Sequence, residues 1–130
     1  MRLLGIDYGG KRIGVALSDE MGDFAYPYRV VANGPGAVAQ IARISADEGV
    51  GGIVLGESRD YTGVENPIMK EIRRFADELA AMSGLPIFFE PELLTSAEAE
   101  RIQGKTATLD ASAAALILRS YIARKKRTYL

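Results

Sequence analysis

The sequence predicts an α/β fold built on a mixed five-stranded sheet, in which a three-strand antiparallel meander is joined by two parallel strands and helices cover both faces. Two observations lead to this fold class. The first quarter of the chain holds three strand-like apolar segments separated by short turns. The remainder alternates segments of helical apolar spacing with short apolar runs, as parallel strands with helical crossovers do. The length of 130 residues suits one domain, so residues 1–130 are interpreted as a single domain.

The meander is predicted from turn signals between apolar segments. Residues 2–6 are interpreted as a buried strand that ends at Asp7, and Gly9-Gly10 then marks a tight turn into a second strand over 12–18. A third strand is expected over 24–31. Within it, Pro27 indicates an edge strand or a bend, because proline cannot donate a ladder hydrogen bond.

Helix and strand signals alternate after the meander. Segments 37–48 and 65–82 carry apolar residues at helical spacing and are each followed by a glycine stop, and each short apolar run is interpreted as a buried strand. The predicted order is β-β-β-α-β-α-β-α-α. Its later members are helix 37–48, strand 52–55, helix 65–82, strand 86–89, a short helix at the capping box 95–98, and a last helix capped by Thr108.

Two absent residue types limit the possible chemistry. The chain has neither cysteine nor histidine, which excludes disulfides, thiolate zinc sites, Ser-His-Asp and Cys-His catalysis, and imidazole acid–base chemistry. Catalysis would have to use carboxylates, hydroxyls, lysines or a hard metal ion. No apolar run approaches the length of a membrane span, and Asp7 interrupts any signal peptide, so we expect a cytoplasmic protein.

The charges balance overall but are unevenly distributed. The net charge of −1 gives no global attraction to nucleic acid. No acidic residue follows Asp110, whereas five cations do. This basic tail is interpreted as the solvated end of a helix, and a segment that contacts phosphates is the alternative. Its members are Arg119, Arg124, Lys125, Lys126 and Arg127.

Several carboxylates are predicted at the carboxyl-terminal edge of the sheet, where α/β folds bind ligands. Asp7 ends the first strand, and either Glu90 or Glu92 could reach the same edge from the last strand. Asp110 begins the last helix and shares a stripe with apolar residues, so it should face the sheet. Glu57 follows the fourth strand, where a solvated loop acid is the simpler interpretation. The apolar members of the stripe are Ala113, Ala114, Ile117 and Tyr121.

These acids have both a structural and a chemical interpretation. Asp7 could simply begin a hairpin turn, and Asp110 could stabilise a helix N-terminus through its dipole. Clustered carboxylates, however, repel one another unless they hold cations, and Mg²⁺ or Mn²⁺ prefers oxygen ligands. Two such ions can bracket a phosphate and activate water without histidine. Loop cations that could contact the phosphates, or simply be solvated, are Lys11, Arg12, Arg59 and Lys105.

Four segments carry a resemblance to a known family. They are residues 4–19, 53–63, 92–102 and 110–118, and the first, LGIDYGGKRIGVALSD, is the most specific. Together they resemble the YqgF family of bacterial ribonuclease H-like proteins, described as Holliday junction resolvases and pre-16S rRNA nucleases. The resemblance implies a ribonuclease H-like fold. It also implies a catalytic, metal-binding triad of Asp7, Glu92 and Asp110 that holds two Mg²⁺ or Mn²⁺ ions.

The resemblance implies a metal-dependent nuclease that hydrolyses phosphodiester bonds of structured nucleic acid. Maturation of the 5′ end of pre-16S rRNA is favoured, with pre-rRNA, branched DNA or ribosomal particles as partners. Holliday junction resolution remains an alternative. A nucleotide-phosphate binder of the actin and sugar-kinase type is disfavoured because its second domain would not fit in 130 residues.

A catalytically weakened nucleic-acid-binding protein is the third alternative, because the chain departs from the family pattern. The family usually has Asp before the triad glutamate and Arg after it, where this chain has Pro91 and Leu93. A Gly-hydrophobic-Pro sequence is replaced by Gly-Glu-Ser at 56–58, and the loop 104–109 is short.

Overall fold

The structure is a computed structural model that describes residues 1–59, 67–93 and 107–128; within these ranges, the side chains at 59, 92–93, 107–110 and 127–128 lie outside the description. No described helix combines the length and hydropathy that a membrane crossing requires. The described elements are β1 (Leu3–Tyr8), β2 (Arg12–Ser18), β3 (Ala25–Ala32), α1 (Ala37–Asp47), β4 (Gly52–Arg59), α2 (Met69–Ser83), β5 (Ile87–Leu93) and α3 (Ala107–Thr128).

The strands form one mixed sheet in the order β3-β2-β1-β4-β5. The pairs β1–β2 and β2–β3 are antiparallel, whereas β1–β4 and β4–β5 are parallel. The meander with two added parallel strands is therefore confirmed. Helix α1 connects β3 to β4, which places β4 beside the central strand β1.

Each face of the sheet carries its own core because side chains alternate along the strands. Helices α1 and α2 cover one face, and α3 covers the other, where its predicted apolar stripe is buried. The first core contains the fully buried Leu4, Ile6, Ile13, Val15, Leu17, Ile41, Ile53, Leu55, Met69, Ile72 and Leu79. The second contains Leu3, Ala16, Ala25, Val54, Ala114, Ala115, Ile117, Leu118, Tyr121 and Ile122.

Gly5 sets how closely α3 approaches the central strand. A Cβ atom at this position would lie 2.9 Å from the Cβ of Leu118 and 3.0 Å from the carbonyl oxygen of Ala114. Ordinary van der Waals contact would need more room. The glycine therefore allows the helix backbone to rest almost directly on β1.

The direction of α3 follows from its contacts past Leu118. The guanidinium of Arg119 donates two hydrogen bonds, of 3.0 and 3.2 Å, to the carbonyl oxygen of Ala25. Ala25 lies opposite Ser18, whose hydroxyl accepts a 2.8 Å hydrogen bond from the backbone N–H of Leu3. The later part of α3 thus lies toward the start of β1, and its first turn lies toward the end of β1.

The strands are longer than their apolar runs predict. β1 continues to Tyr8, β4 continues to Arg59, and β5 continues to Leu93. The last two lengthen together, since their polar ends pair in register from Glu57–Pro91 to Arg59–Leu93. Backbone pairing does not depend on apolar side chains, so the predicted strand ends at 55 and 89 were too early.

Both strand prolines lie on edge strands of the described sheet, where a missing N–H costs little. Pro27 is in β3, next to a register shift between Val15 and Ala16, which confirms the predicted edge or bend. Pro91 is in β5.

Some of the predicted helix ends agree with the structure and others do not. Gly84 ends α2 with φ of 71°, as its position predicted. Helix α2 begins at Met69 rather than 65, although residues 65–66 lie outside the description. Helix α3 already includes Ala107, so Thr108 is inside the helix and the predicted cap is wrong. The capping box at 95–98 falls outside the described residues.

Candidate active site

Asp7 stands near the carboxyl-terminal end of the central strand. It lies opposite Gly14 of β2, and its side chain is half-buried. Because Leu3 and Gly5 face α3, alternation places Asp7 on the same face. β1 is paired with β4 as far as Ile6 and with β2 through Asp7, so the carboxylate stands directly after the doubly paired part of the central strand.

Glu92 and Asp110 can be located by their backbone positions. Glu92 lies opposite Ser58, two residues past Glu90 on β5, and β5 is separated from β1 by β4 alone. Strand spacing puts β1 and β5 roughly 10 Å apart. Asp110 is the fourth residue of α3, one turn before the Ala114 that touches Gly5.

The backbone thus directs positions 7, 92 and 110 to one edge of the sheet, on the α3 side. The side chains of Glu92 and Asp110 lie outside the description, so their joint use as a triad remains a prediction. Among the residues whose side chains are described, no three acids form a group that could hold a metal ion.

Glu90 does not reach the same place. Its carboxylate is only 6% exposed and is directed at the later part of α3. One oxygen accepts hydrogen bonds from Arg124 and the other accepts one from the hydroxyl of Ser120. Sequence treated Glu90 and Glu92 as equivalent because both occupy the same strand face, but the structure assigns Glu90 to the packing of α3.

Glu57 shares the edge but not the face of Asp7. It lies inside β4, in alternation with the buried Ile53 and Leu55 that face α1 and α2, and it is half-buried. Asp7 is on the opposite face. The interpretation of Glu57 as a loop acid is wrong, since pairing with β5 makes this segment a strand.

Two of the predicted phosphate-contacting cations flank this edge. Lys11 and Arg12 are exposed at the turn between β1 and β2. The turn is fixed by Asn33, which donates from its backbone to the carbonyl of Lys11 at 3.0 Å and from its side chain to the carbonyl of Gly9 at 2.8 Å. Arg59 ends β4, with its side chain outside the description, and Lys105 lies outside it altogether.

The basic tail is the last part of α3, which is helical through Thr128, and residues 123–126 are exposed, as the solvated end of a helix would be; phosphate contact by the tail stays a prediction. Its described cations each contact the protein. Arg119 binds the carbonyl of Ala25, Arg124 binds Glu90, Lys126 pairs with Asp23 at 3.2 Å, and Lys125 lies 5.5 Å from the centre of the Phe88 ring.

A groove of about 840 Å³ lies at the same edge on the other face, between the β1–β2 turn and helices α1 and α2. Tyr8 and Phe75 form part of its wall, with ring centres 5.1 Å apart, and so do Arg74 and Glu78. Sequence did not indicate this groove because it forms between elements that are distant along the chain.

Comparison with known proteins agrees with this architecture. A mixed sheet of this order, with helices on both faces, is a ribonuclease H-like α/β fold. The solved structure of T. thermophilus RuvC in complex with a Holliday junction substrate has the same fold, with a TM-score of 0.60, 18% identity, and 96% of each chain covered.

The family model described as RuvX, Holliday junction resolvase, matches residues 1–124, and the chain belongs to this family. A relative from Nocardioides sp. is 40% identical over 96% of this chain and 89% of its own length. One from Oenococcus oeni is 34% identical over 98% of this chain and 97% of its own length. Both bear the name "Putative pre-16S rRNA nuclease". The resemblance found in the sequence is confirmed.

Proposed function

We propose that this protein is a metal-dependent nuclease that hydrolyses phosphodiester bonds at the 5′ end of pre-16S rRNA, in the cytoplasm and on pre-ribosomal particles. The observation that carries the proposal is the placement of Asp7. Its half-buried carboxylate lies on the central strand, at the edge toward which the backbone directs Glu92 and Asp110. Membership of the RuvX family and the names of the curated relatives support it.

The donor set suits a hard divalent cation. The chain offers carboxylates, which are the ligands that Mg²⁺ and Mn²⁺ prefer. It has no thiolate or imidazole, which zinc would favour. Asp7, Glu92 and Asp110 would hold the ions, which when bound would supply Lewis acidity and an activated water. Lys11 and Arg12, held beside Asp7 by the fixed turn, would bind the flanking phosphates and align the substrate strand.

Holliday junction resolution is the second candidate. The family description and the fold shared with RuvC favour it. A catalytically weakened binding protein is the third, supported by Pro91 and Leu93 beside the triad position.

One assay separates the three candidates. The purified chain is incubated with an RNA that carries the unprocessed 5′ end of 16S rRNA, or with a four-way DNA junction, in Mg²⁺, Mn²⁺ or EDTA. We expect cleavage of the RNA that EDTA abolishes. Cleavage of the junction alone would establish the second candidate, binding without cleavage the third, and cleavage unaffected by EDTA would contradict metal dependence.

The site assignment is tested with a pair of matched substitutions. Asp7→Asn keeps the shape of the side chain and removes its charge, and we expect it to abolish cleavage. Asp47→Asn makes the same chemical change at the end of α1, where the side chain is 70% exposed, and should leave activity unchanged. Full activity of Asp7→Asn would remove Asp7 from the site.

A further inference from the structure

A charged cluster around one buried carboxylate joins β5 to α3. The carboxylate of Glu90 accepts hydrogen bonds from Arg124 Nε at 2.9 Å and Nη2 at 2.6 Å through one oxygen, and from Ser120 Oγ at 2.8 Å through the other. We call Glu90, Ser120 and Arg124 the Glu90 clamp. Only 6% of the Glu90 side chain is exposed, and both carboxylate oxygens accept hydrogen bonds from residues of α3.

The clamp connects the two elements that carry two of the predicted triad residues. Glu92 is two residues past Glu90 on β5, and Asp110 lies in the first part of α3. Elsewhere α3 packs closely on β1, as at Gly5. On β5, α3 also packs through Tyr121, whose ring centre lies 5.6 Å from that of Phe88.

The position of β5 explains why such a link would be needed. β5 is an edge strand of the described sheet and is paired on one side, by β4. Side chains alternate along a strand, so a slip of one residue would move position 92 to the opposite face. An apolar contact tolerates sliding, whereas a carboxylate held by three directional hydrogen bonds does not. Any displacement would leave Glu90 buried without its partners.

We propose that Glu90, held by Arg124 and Ser120, is a positioning residue that fixes β5 against α3 and thereby sets Glu92 relative to Asp110. The structural half of this inference stands alone, and its catalytic half rests on the proposed function. Glu90 of the clamp lies on β5, and Arg124 belongs to the basic tail at the end of α3.

The same helix offers a matched control. Lys126 is two residues past Arg124 and also forms an ion pair, with Asp23 at 3.2 Å, but both side chains are about half exposed at 56% and 43%. Arg124→Met and Lys126→Met therefore remove equal charge from one helix end. Arg124 is itself 51% exposed, so the two pairs differ in their acids: Arg124→Met removes the partner of a buried carboxylate, and Lys126→Met removes the partner of an exposed one.

The two variants and the parent are compared, as full chains, in three measurements. These are hydrogen exchange of the amides in 87–93, Mn²⁺ affinity by titration, and kcat and KM on the RNA substrate. For Arg124→Met we expect faster exchange in β5 with β1 unchanged. Mn²⁺ affinity and kcat should each fall about ten- to hundredfold, with a much smaller change in KM. Lys126→Met should alter none of them.

Conservative variants separate positioning from general stability. Arg124→Lys keeps one charged donor and should recover part of kcat. Ile44→Val weakens the core under α1 on the other face and should lower the unfolding temperature without changing Mn²⁺ affinity. If Arg124→Met does not fold, Glu90→Gln, which lacks the charge but keeps the shape, takes its place in all three measurements.

The proposal is overturned if β5 exchange and Mn²⁺ affinity in the clamp variants match the parent. It is also overturned if Ile44→Val lowers both Mn²⁺ affinity and kcat as much as Arg124→Met does. A parent protein that cleaves no nucleic acid would refute the proposed function instead, and the exchange and Mn²⁺ measurements would then decide the clamp by themselves.

Discussion

At the scale of single residues, the carboxylates of this protein divide by what surrounds them. Glu90 is buried and satisfied by α3, Asp19 is held by backbone N–H groups, and Asp7 sits half-buried at the sheet edge. The residue type alone does not distinguish these roles. Sequence selected Asp7 because a glycine turn follows its strand, but it could not rank Glu90 against Glu92, since that depends on where α3 crosses the sheet.

The stability of Asp7→Asn gives the first prediction. If acids crowd at this edge in the absence of metal, removing one charge relieves their repulsion. Asp7→Asn should then unfold at the same temperature as the parent or a higher one, measured without divalent cations. A clearly lower unfolding temperature would show that the Asp7 charge stabilises the fold and would argue against an acidic cluster.

Asp19 gives a pH-dependent prediction. The backbone N–H groups of Phe24 and Asp23 each donate a 2.8 Å hydrogen bond to its carboxylate, and these bonds lower the pKa of Asp19. A pKa lowered on folding contributes stability above the unfolded value of about 3.9, and this is lost as pH falls through the folded value.

Asp19→Asn keeps a hydrogen-bond acceptor but does not titrate. Below about pH 4 the stability of the parent should therefore fall more steeply than that of Asp19→Asn, as measured by urea midpoints at several pH values. Parallel curves for the two proteins would contradict this role of Asp19.

At the scale of elements, the close contact between β1 and α3 is the feature that would bring Asp7 and Asp110 together in the proposed site. Gly5→Ala would put a methyl group 2.9 Å from the Cβ of Leu118 and 3.0 Å from the backbone oxygen of Ala114. We expect a loss of about 1–3 kcal/mol in the free energy of unfolding, measured by urea denaturation.

A second substitution tests the cause of that loss. Leu118→Ala shortens the side chain but retains its Cβ, and the Ala114 oxygen does not move with it. The double variant Gly5→Ala/Leu118→Ala should therefore be no more stable than Gly5→Ala. Recovery of stability in the double variant would place the strain in the outer part of Leu118 instead.

The elements also show how far sequence patterns reach. The meander, both parallel strands, α1 and the buried stripe of α3 follow from apolar periodicity, which records burial directly. The ends of β4 and β5 do not, because Glu57 to Arg59 and Pro91 to Leu93 are held by backbone pairing between strands. The face of Glu57 and the partner of Glu90 depend on register and helix placement, which no local pattern contains.

At the scale of the whole molecule, the positions of the charged side chains matter more than the net charge. The net charge is −1, yet Lys11 and Arg12 are exposed beside the Asp7 edge, while the described cations of the basic tail contact the protein itself. A count of cations would have favoured the tail as the nucleic-acid contact. The position of Lys11 and Arg12 in the turn that follows Asp7 favours the β1–β2 turn instead.

The salt dependence of nucleic-acid binding distinguishes these two surfaces. Each phosphate contact contributes roughly 0.7 to 0.9 to the slope of log affinity against log salt, so Lys11→Gln/Arg12→Gln should flatten that slope by about 1.4 to 1.8. Lys125→Gln/Lys126→Gln removes the same charge from residues that face Phe88 and Asp23, and should leave the slope unchanged. Binding of one RNA, measured by fluorescence anisotropy from low to moderate salt, gives both slopes. Flattening by the tail variant alone would move the phosphate path from the β1–β2 turn to α3, because counterion release depends on which cations meet phosphates and not on the net charge of the chain.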